Sequence, residues 1–347
     1  MKKDEKGQTS LYRAYRPNTF KDVRGQEGVV SVLEAAIKNN KVAHAYLFAG
    51  GRGTGKTSMA RILARAVDTN EEDIYEIDAA SNRQVDDARS LREGVSTLPF
   101  SSKYKFYILD EVHMFTKDAW NTLLKTLEEP PEHVIFVLAT TELEKVPDTV
   151  QSRCQVFNFK KPTHKVLKSL VLDVAKKEGA SMSPAGAELV ALMGDGSFRD
   201  TLGILQKVLT ISGDNNLTED EVAKVVGAPS SELVNKFLQA LAVKNIEEAL
   251  STFHAALGGG AEAQVFVVLV LAKVRGVLLM RFAPKLEKEL LEQFGEDDVK
   301  VLKELSGKEG AHINAALLAE LISALLETNK APIPAVPLEL ALYRVYA

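Results

Sequence analysis

At roughly 150 residues per domain, a chain of 347 residues has room for two or three domains, and 46% hydrophobic with 26% charged residues is the make-up of an ordinary soluble globular protein. A formal net charge of −4 excludes a polycation, so any contact with nucleic acid has to come from a local patch or from partners. The single cysteine, Cys154, excludes an intrachain disulfide and a cysteine-cluster zinc site, and the charged residues 1–6 lack the apolar core of a signal peptide, which together point to the cytoplasm.

In chain order, residues 1–10 are polar and expected to fray. Residues 11–17 and 20–26 read in one of two ways: an extended arm with a proline-fixed turn, or aromatic and arginine side chains laid over a bound base. The spacing of Val29, Val30, Leu33, Ala36 and Ile37 predicts a helix over 27–39, and the apolar run 45–49 predicts a short strand. Next comes Gly50-Gly51-Arg52-Gly53-Thr54-Gly55-Lys56-Thr57, which fits the phosphate-binding P-loop pattern. A helix over 58–66 is expected to follow, with Met59, Ile62, Leu63 and Ala66 on one face. Glycines at this point let backbone N–H groups close around phosphates, and the helix N-terminus adds positive potential. Lys56 would reach the β- and γ-phosphates, and the Thr57 hydroxyl would be a Mg²⁺ ligand.

After an acidic connection over 68–73, residues 74–78 alternate like a strand, 78–82 turn the chain, and 85–95 read as a helix bearing Arg89 and Arg92. The apolar run from Tyr104 ends in Asp110-Glu111, two acids at the strand edge where parallel sheets place ligands. In that position Asp110 would hold Mg²⁺, and Glu111 would orient and polarise the attacking water. Trp120, Leu123, Leu124 and Leu127 mark a helix over 117–129 whose stripe is core packing, stopped by Pro130-Pro131. Residues 134–141 form another buried strand ending in hydroxyls, one of which could meet a γ-phosphate or the attacking water. The segment 147–154 ends in Ser152-Arg153-Cys154, where Arg153 is either a surface residue or an arginine finger for a neighbour's phosphate.

Beyond Pro162 the periodicity is helical, with helices expected over 164–178, 184–193, 198–211 and 218–226. Ser197 suits an N-cap. Arg199 falls in that helix's first turn, where the macrodipole disfavours a cation unless an anion compensates. Ala228-Pro229-Ser230 reads as a hinge, and 231–328 as about five amphipathic helices without phosphate or metal motifs. The most apolar stretch, 263–280, is interrupted by Gln264, Lys273 and Arg275 and so reads as a buried helix rather than a membrane span. The alternating charges of 285–308 read as a solvated helix face.

With the P-loop, Asp110-Glu111, Thr141, Ser152-Arg153-Cys154 and Gly196-Ser197-Phe198-Arg199-Asp200 in this order, the chain resembles an AAA+ ATPase of the clamp-loader group, and within it the bacterial DNA polymerase III gamma/tau family. Tyr15-Arg16-Pro17, Val23-Arg24-Gly25-Gln26 and the stretches 44–48, 76–82, 110–114, 123–131 and 138–141 carry the same likeness. The strong part covers 11–228, and 332–341 resembles the end of the family's collar domain. The resemblance implies an α/β AAA+ P-loop domain with a parallel sheet over 1–162, a small helical lid over 163–228 and an all-α collar over 229–347. It implies ATP and Mg²⁺ as cofactors, with nucleotide contacts from Tyr15, Arg16, Val23, Gly50, Gly53, Thr54, Gly55, Lys56, Thr57 and Ser58, and metal contacts from Thr57 and Asp110. It further implies Glu111 as the residue serving the water, Thr141 as a strand-end sensor, Arg199 as a second sensor, and Arg153 acting in trans. Arg89 and Thr149 match family positions that face duplex DNA.

The partners so implied are delta and delta-prime subunits, the sliding clamp, primed DNA, the replicative polymerase and further copies in the loader ring, with no membrane. Two departures stand out. Residues 67–75 fill the interval where the family usually has a four-cysteine zinc module, so no zinc is expected. The long tau extension does not follow Ala347, which makes the chain gamma-like in extent and puts direct polymerase and helicase tethering in doubt. Two other functions compete: a branch-migration type of AAA+ motor, and a non-catalytic ring member. Against the first stand Ser152-Arg153-Cys154 and the all-helical end; against the second, intact Gly55-Lys56-Thr57 and Asp110-Glu111.

Overall fold

Parallel strands buried on both faces need continuous apolar runs, and three such runs form the middle of a five-stranded parallel sheet. The strands are β1 Ala45–Gly50, β2 Ile74–Asp78, β3 Lys105–Asp110, β4 Val134–Thr140 and β5 Gln155–Phe159, in the order β2-β3-β4-β1-β5. β1, β3 and β4 are buried almost throughout, whereas the edge strands β2 and β5 are largely open. This computed structural model describes residues 10–81, 91, 93–212, 215–287, 294, 296–307 and 312–346. The chain divides into two compact units, Met1–Leu167 with Gly196–Leu202, and Lys168–Asp195 with Gly203–Ala347.

Successive side chains of a strand point to opposite faces, and the first unit's two cores follow from that alternation. On one face Tyr46, Phe48, Phe106, Ile108, Ile135 and Val137 meet helices α2 (Glu27–Lys38) and α3 (Lys56–Ala66). On the other, Leu47, Tyr107, Leu109, Phe136 and Leu138 meet Trp120, Leu123 and Leu127 of α4 (Lys117–Glu128), with Val150 of α5 (Asp148–Gln151). The helix after the P-loop begins at Lys56, two residues earlier than its apolar pattern predicts, because Gly55 supplies a left-handed N-cap at φ 101°. The N-terminal arm is not extended as its proline suggests: Leu11–Ala14 makes one helical turn, α1, closed by Tyr15 N donating to Leu11 O at 2.9 Å. Leu11 is buried and anchors that turn. Residues Phe20–Asp22 form a 3₁₀ turn whose Asp22 carboxylate accepts from Thr19 N at 3.0 Å and Thr19 Oγ1 at 2.8 Å.

Among its described residues, the second unit has helices and one two-stranded pair, β6 Ser181–Met182 and β7 Asn216–Leu217. Its helices include most of α6 (His164–Lys177) and α8 (Phe198–Ile211), then α7 (Pro184–Met193), α9 (Glu219–Val226), α10 (Ser231–Ala242) and α11 (Ile246–Gly258). They continue with α12 (Ala263–Phe282), α13 (Glu296–Gly307), α14 (Ala315–Thr328) and α15 (Val336–Tyr346). Side-chain caps set several starts, such as Ser183 Oγ on Gly186 N and the Thr218/Glu221 capping box.

Helix α12 is the buried helix expected of the apolar stretch 263–280. Phe266, Val267, Val270, Val274 and Val277 are fully buried, and the core of α10 to α15 is built around them. It is also long and apolar enough to cross a membrane by length and composition, with mean hydropathy 2.0, yet 61% of that window is buried inside the protein. Lys273 lies within it, donating from Nζ to Asp298 Oδ1 at 2.7 Å, Asn235 Oδ1 at 2.9 Å and Ser231 Oγ at 3.0 Å. Burial pushes this ammonium below its ordinary value and Asp298 pulls it back. Asp298 therefore departs from the solvated charge run expected of 285–308, because it is the counter-ion of a buried lysine. Truncating one partner of such a pair strands the other charge. Asp298→Ala is accordingly expected to cost about 3–5 kcal/mol, and Lys273→Met less, since Asp298 keeps the donors Ser231 and Asn235. Urea unfolding followed by circular dichroism checks this; an unshifted midpoint for Asp298→Ala would contradict it.

Candidate nucleotide site

Sheet register assembles the site. Ala49 pairs with Thr140 and Leu109 with Leu138, so the carboxyl ends of β1, β3 and β4 emerge at one edge carrying Gly50, Asp110-Glu111 and Thr141. Strand order also reverses there, since β1 sends the chain outward to β2 while β4 returns it past β1 to β5, and such a crevice is where open α/β sheets take ligands.

The P-loop leaves β1 with Gly50 at φ 154°, and a Cβ there would run into the Phe159 carbonyl. Gly53, at φ 70°, lies so close to Ser197 that a side chain would overlap its hydroxyl. Phe198 N donates to Gly53 O at 3.0 Å, which brings the first turn of α8 against the loop within the first unit. Asp200 N donates to Ser197 Oγ at 3.2 Å, the N-cap expected from sequence. Buried Thr54 donates to Gly51 O at 2.9 Å. Gln26, buried and assigned no role from sequence, donates from Nε2 to Lys160 O at 2.8 Å and to Thr54 O at 3.4 Å, bracing the loop from the side.

Lys56 is buried, with Nζ donating to the carbonyls of Gly50 at 2.7 Å and Gly51 at 2.9 Å. Burial pushes its ammonium below the ordinary value, while Glu111 and Asp110 oppose that. Thr57 Oγ1 donates to Asp110 Oδ2 at 2.7 Å, so both metal candidates meet. Thr141 Oγ1 donates to Glu111 Oε2 at 3.0 Å. Glu111 holds φ 50° and ψ 43°, left-handed backbone that disfavours a side chain. Such strain persists where the surroundings over-determine it, and it is frequent at functional sites.

Around this centre, Arg16 Nε donates to Ser58 Oγ at 3.1 Å, and Tyr15 and Val23 are half-buried nearby in sequence. The Arg199 guanidinium sits 5.5 Å from the centre of the Tyr12 ring, a cation–π arrangement. Arg153 is not joined to the P-loop of its own chain. Its Nη2 pairs with Glu128 Oε1 at 2.7 Å, and its Nη1 donates to Thr149 O at 2.6 Å. Thr149 is exposed, and Arg89 lies outside the described residues. Burial pushes the Cys154 thiol up to about 12, which keeps it protonated and unreactive. Among the described residues, no group of three or more His, Cys, Asp and Glu is placed to hold a metal by itself.

His113 also escaped sequence reasoning as a site residue. Its ring sits between Glu111, Thr140 and Glu142. Only its position three residues after Asp110 hinted at this.

A family model described as DNA polymerase III, delta subunit matches residues 25–80 and 68–163, and one described as DNA polymerase III subunits gamma and tau domain III matches 217–347. DNA polymerase III subunit tau of Bacillus subtilis is 39% identical over 342 residues, which are 92% of this chain and 59% of that protein. DNA polymerase III subunit gamma/tau of Mycobacterium tuberculosis is 33% identical, covering 97% of this chain and 62% of that one. The chain thus spans less than two thirds of the length of these curated relatives. Among solved structures, Thermotoga maritima RuvB, a Holliday junction branch migration motor, aligns with TM-score 0.53 and 24% identity over 65% of this chain and 79% of its own, a likeness of fold.

Proposed function

Because the chain belongs to the DNA polymerase III gamma/tau family and has an α/β AAA+ fold with a helical C-terminal region, we propose that it is the ATPase subunit of a clamp loader, in which ATP binding and hydrolysis drive loading of the sliding clamp onto primed DNA. One observation carries this reading: the P-loop lysine and the pairs Thr57–Asp110 and Thr141–Glu111 gather at one sheet edge. Oxygen donors of a hydroxyl and a carboxylate suit Mg²⁺, which takes one or two protein ligands and completes its shell with phosphate and water. Thr57 and Asp110 would hold it, and the ion would neutralise phosphate charge. The glycine cradle at Gly50, Gly53 and Gly55 fits phosphates approached by backbone, with Lys56 as the cation on them and Thr54 and Ser58 beside it. Glu111 would accept the proton of the attacking water, with Thr141 fixing the carboxylate. Tyr15, Arg16 and Val23 would border the nucleotide. Arg199 would reach the phosphates from the lid of the same chain, and Arg153 from the neighbouring chain.

The same reading divides the chain into a nucleotide-binding domain (1–162), a lid (163–228) and a collar (229–347), assembled in the cytoplasm with delta, delta-prime and further copies of itself. It takes the clamp, primed DNA and replicative polymerase as partners, and it has no place for zinc, given one cysteine. Arg89 and Thr149 would touch DNA phosphates, so binding should weaken with salt and ignore sequence. Reconstitution with delta, delta-prime and clamp tests the proposal: ATP-dependent transfer of labelled clamp onto primed DNA is expected. Assembly and ATP turnover without any transfer would favour a different AAA+ motor.

A further inference from the structure

The two carboxylates beside His113 lie at opposite ends of a chain of polar contacts. Glu111, in left-handed backbone, starts the 3₁₀ turn Val112–Met114, and that turn carries His113 back toward the end of β4. The His113 side chain is 7% exposed. Its Nδ1 lies 3.1 Å from Thr140 Oγ1 and 3.4 Å from Glu111 Oε2, and its Nε2 lies 3.2 Å from Glu142 Oε1. Each ring nitrogen thus faces a carboxylate oxygen, and because a carboxylate only accepts, any bond across either gap is donated by the ring. Thr140 fastens the same place through its hydroxyl, which accepts from Glu142 N at 3.0 Å.

From Glu142 the chain of contacts continues. Lys145 Nζ binds Glu142 Oε2 at 2.7 Å across the turn Leu143–Lys145. Gln151 Nε2 then clasps that turn, donating to Val146 O at 2.8 Å and Leu143 O at 3.3 Å. Two residues later comes Arg153. A solvated surface histidine would not be buried between two acids, and a packing histidine would not need them.

We propose that His113 is a positioning residue that ties the Glu111 carboxylate to the 142–153 segment, so that the orientation of the base responds to where the Arg153 segment is held. The inference rests on the ATPase reading of Glu111 and Arg153. Any displacement of 142–153 by a neighbouring subunit then moves Glu142, and through the imidazole it moves Glu111. A shift on the order of 1 Å in a positioned group changes rate by roughly 100-fold, so a ring of this size in this place is a sufficient coupling element.

The test uses full chains in the assembled complex and measures ATP turnover together with nucleotide affinity. His113→Ala is expected to lower kcat roughly 10–100-fold with affinity within twofold of wild type. His113→Asn places an amide on the Nδ1 side, facing Glu111, but is too short to reach Glu142, and should restore part of the loss. It should also remove the dependence on Glu142, so that adding Glu142→Ala has no further effect, whereas Glu142→Ala alone slows the wild-type complex. A merely structural histidine would give equal losses for Ala and Asn, with a lower melting temperature, and that outcome overturns the proposal. So does unchanged turnover in His113→Ala while Glu111→Gln abolishes it. If Glu111→Gln itself leaves turnover intact, the reading of Glu111 fails instead, and the inference falls with it.

Discussion

Lys56→Ala is expected to weaken nucleotide binding by about 100-fold or more, whereas Glu111→Gln keeps the nucleotide and loses turnover by about 10²–10⁴. The two effects separate because the two side chains act at different stages. On the proposed reading Lys56 would offer charge-assisted hydrogen bonds to phosphate, each worth more than a neutral one. The ammonium already spans the Gly50 and Gly51 carbonyls, and an arriving phosphate adds to the pull that Glu111 and Asp110 exert against its burial. The Glu111 carboxylate is held from the strand ends instead, by Thr141 and beside His113. An amide keeps the size of the side chain and the bond from Thr141, but it cannot take a proton from water. Titration with a fluorescent nucleotide and measurement of phosphate release check both halves. Equal affinities for wild type and Lys56→Ala would sink the P-loop assignment, and sustained turnover in Glu111→Gln would remove Glu111 from the chemistry.

Arg153→Ala should lower hydrolysis in the assembled complex by about 10³–10⁵ while sparing nucleotide binding, the range seen when an arginine finger is lost. Phosphoryl transfer is catalysed largely by positioning and positive charge, so a single guanidinium carries much of the effect. Within its own chain Arg153 is engaged by Glu128 and by the Thr149 carbonyl, with its side chain 34% exposed. A half-exposed ion pair of this kind is worth about 0–1 kcal/mol, small enough for a phosphate of higher charge to displace Glu128. Mixing decides whether the residue acts in trans. Subunits with Arg153→Ala and a sound P-loop should regain hydrolysis beside Lys56→Ala subunits that keep Arg153. Co-assembly without recovery at any ratio would make Arg153 a structural or cis residue.

Sequence by itself determined many of the local elements of this protein. The strands β1, β3 and β4 follow from unbroken apolar runs, β2 from alternation, the start of α8 from Ser197 and the P-loop from its glycine and lysine spacing, whereas the open edge strand β5 and the short pair β6 and β7 carry no such run. Those legible elements are each set by residues a few positions apart, through backbone sterics and local hydrogen bonds, so a periodicity is enough to read them. Tertiary structure alone decided which groups meet. Thr57 reaches Asp110 across 53 residues, Thr141 reaches Glu111 across 30, and Gln26 reaches Lys160 across 134. The same holds for the burial of Lys273 with Asp298 inside an otherwise apolar helix and for the imidazole between Glu111 and Glu142. Such contacts depend on strand order and register, and on which helix faces are packed together; those are settled by burying apolar surface across the whole unit, a sum to which no short stretch of chain holds the key.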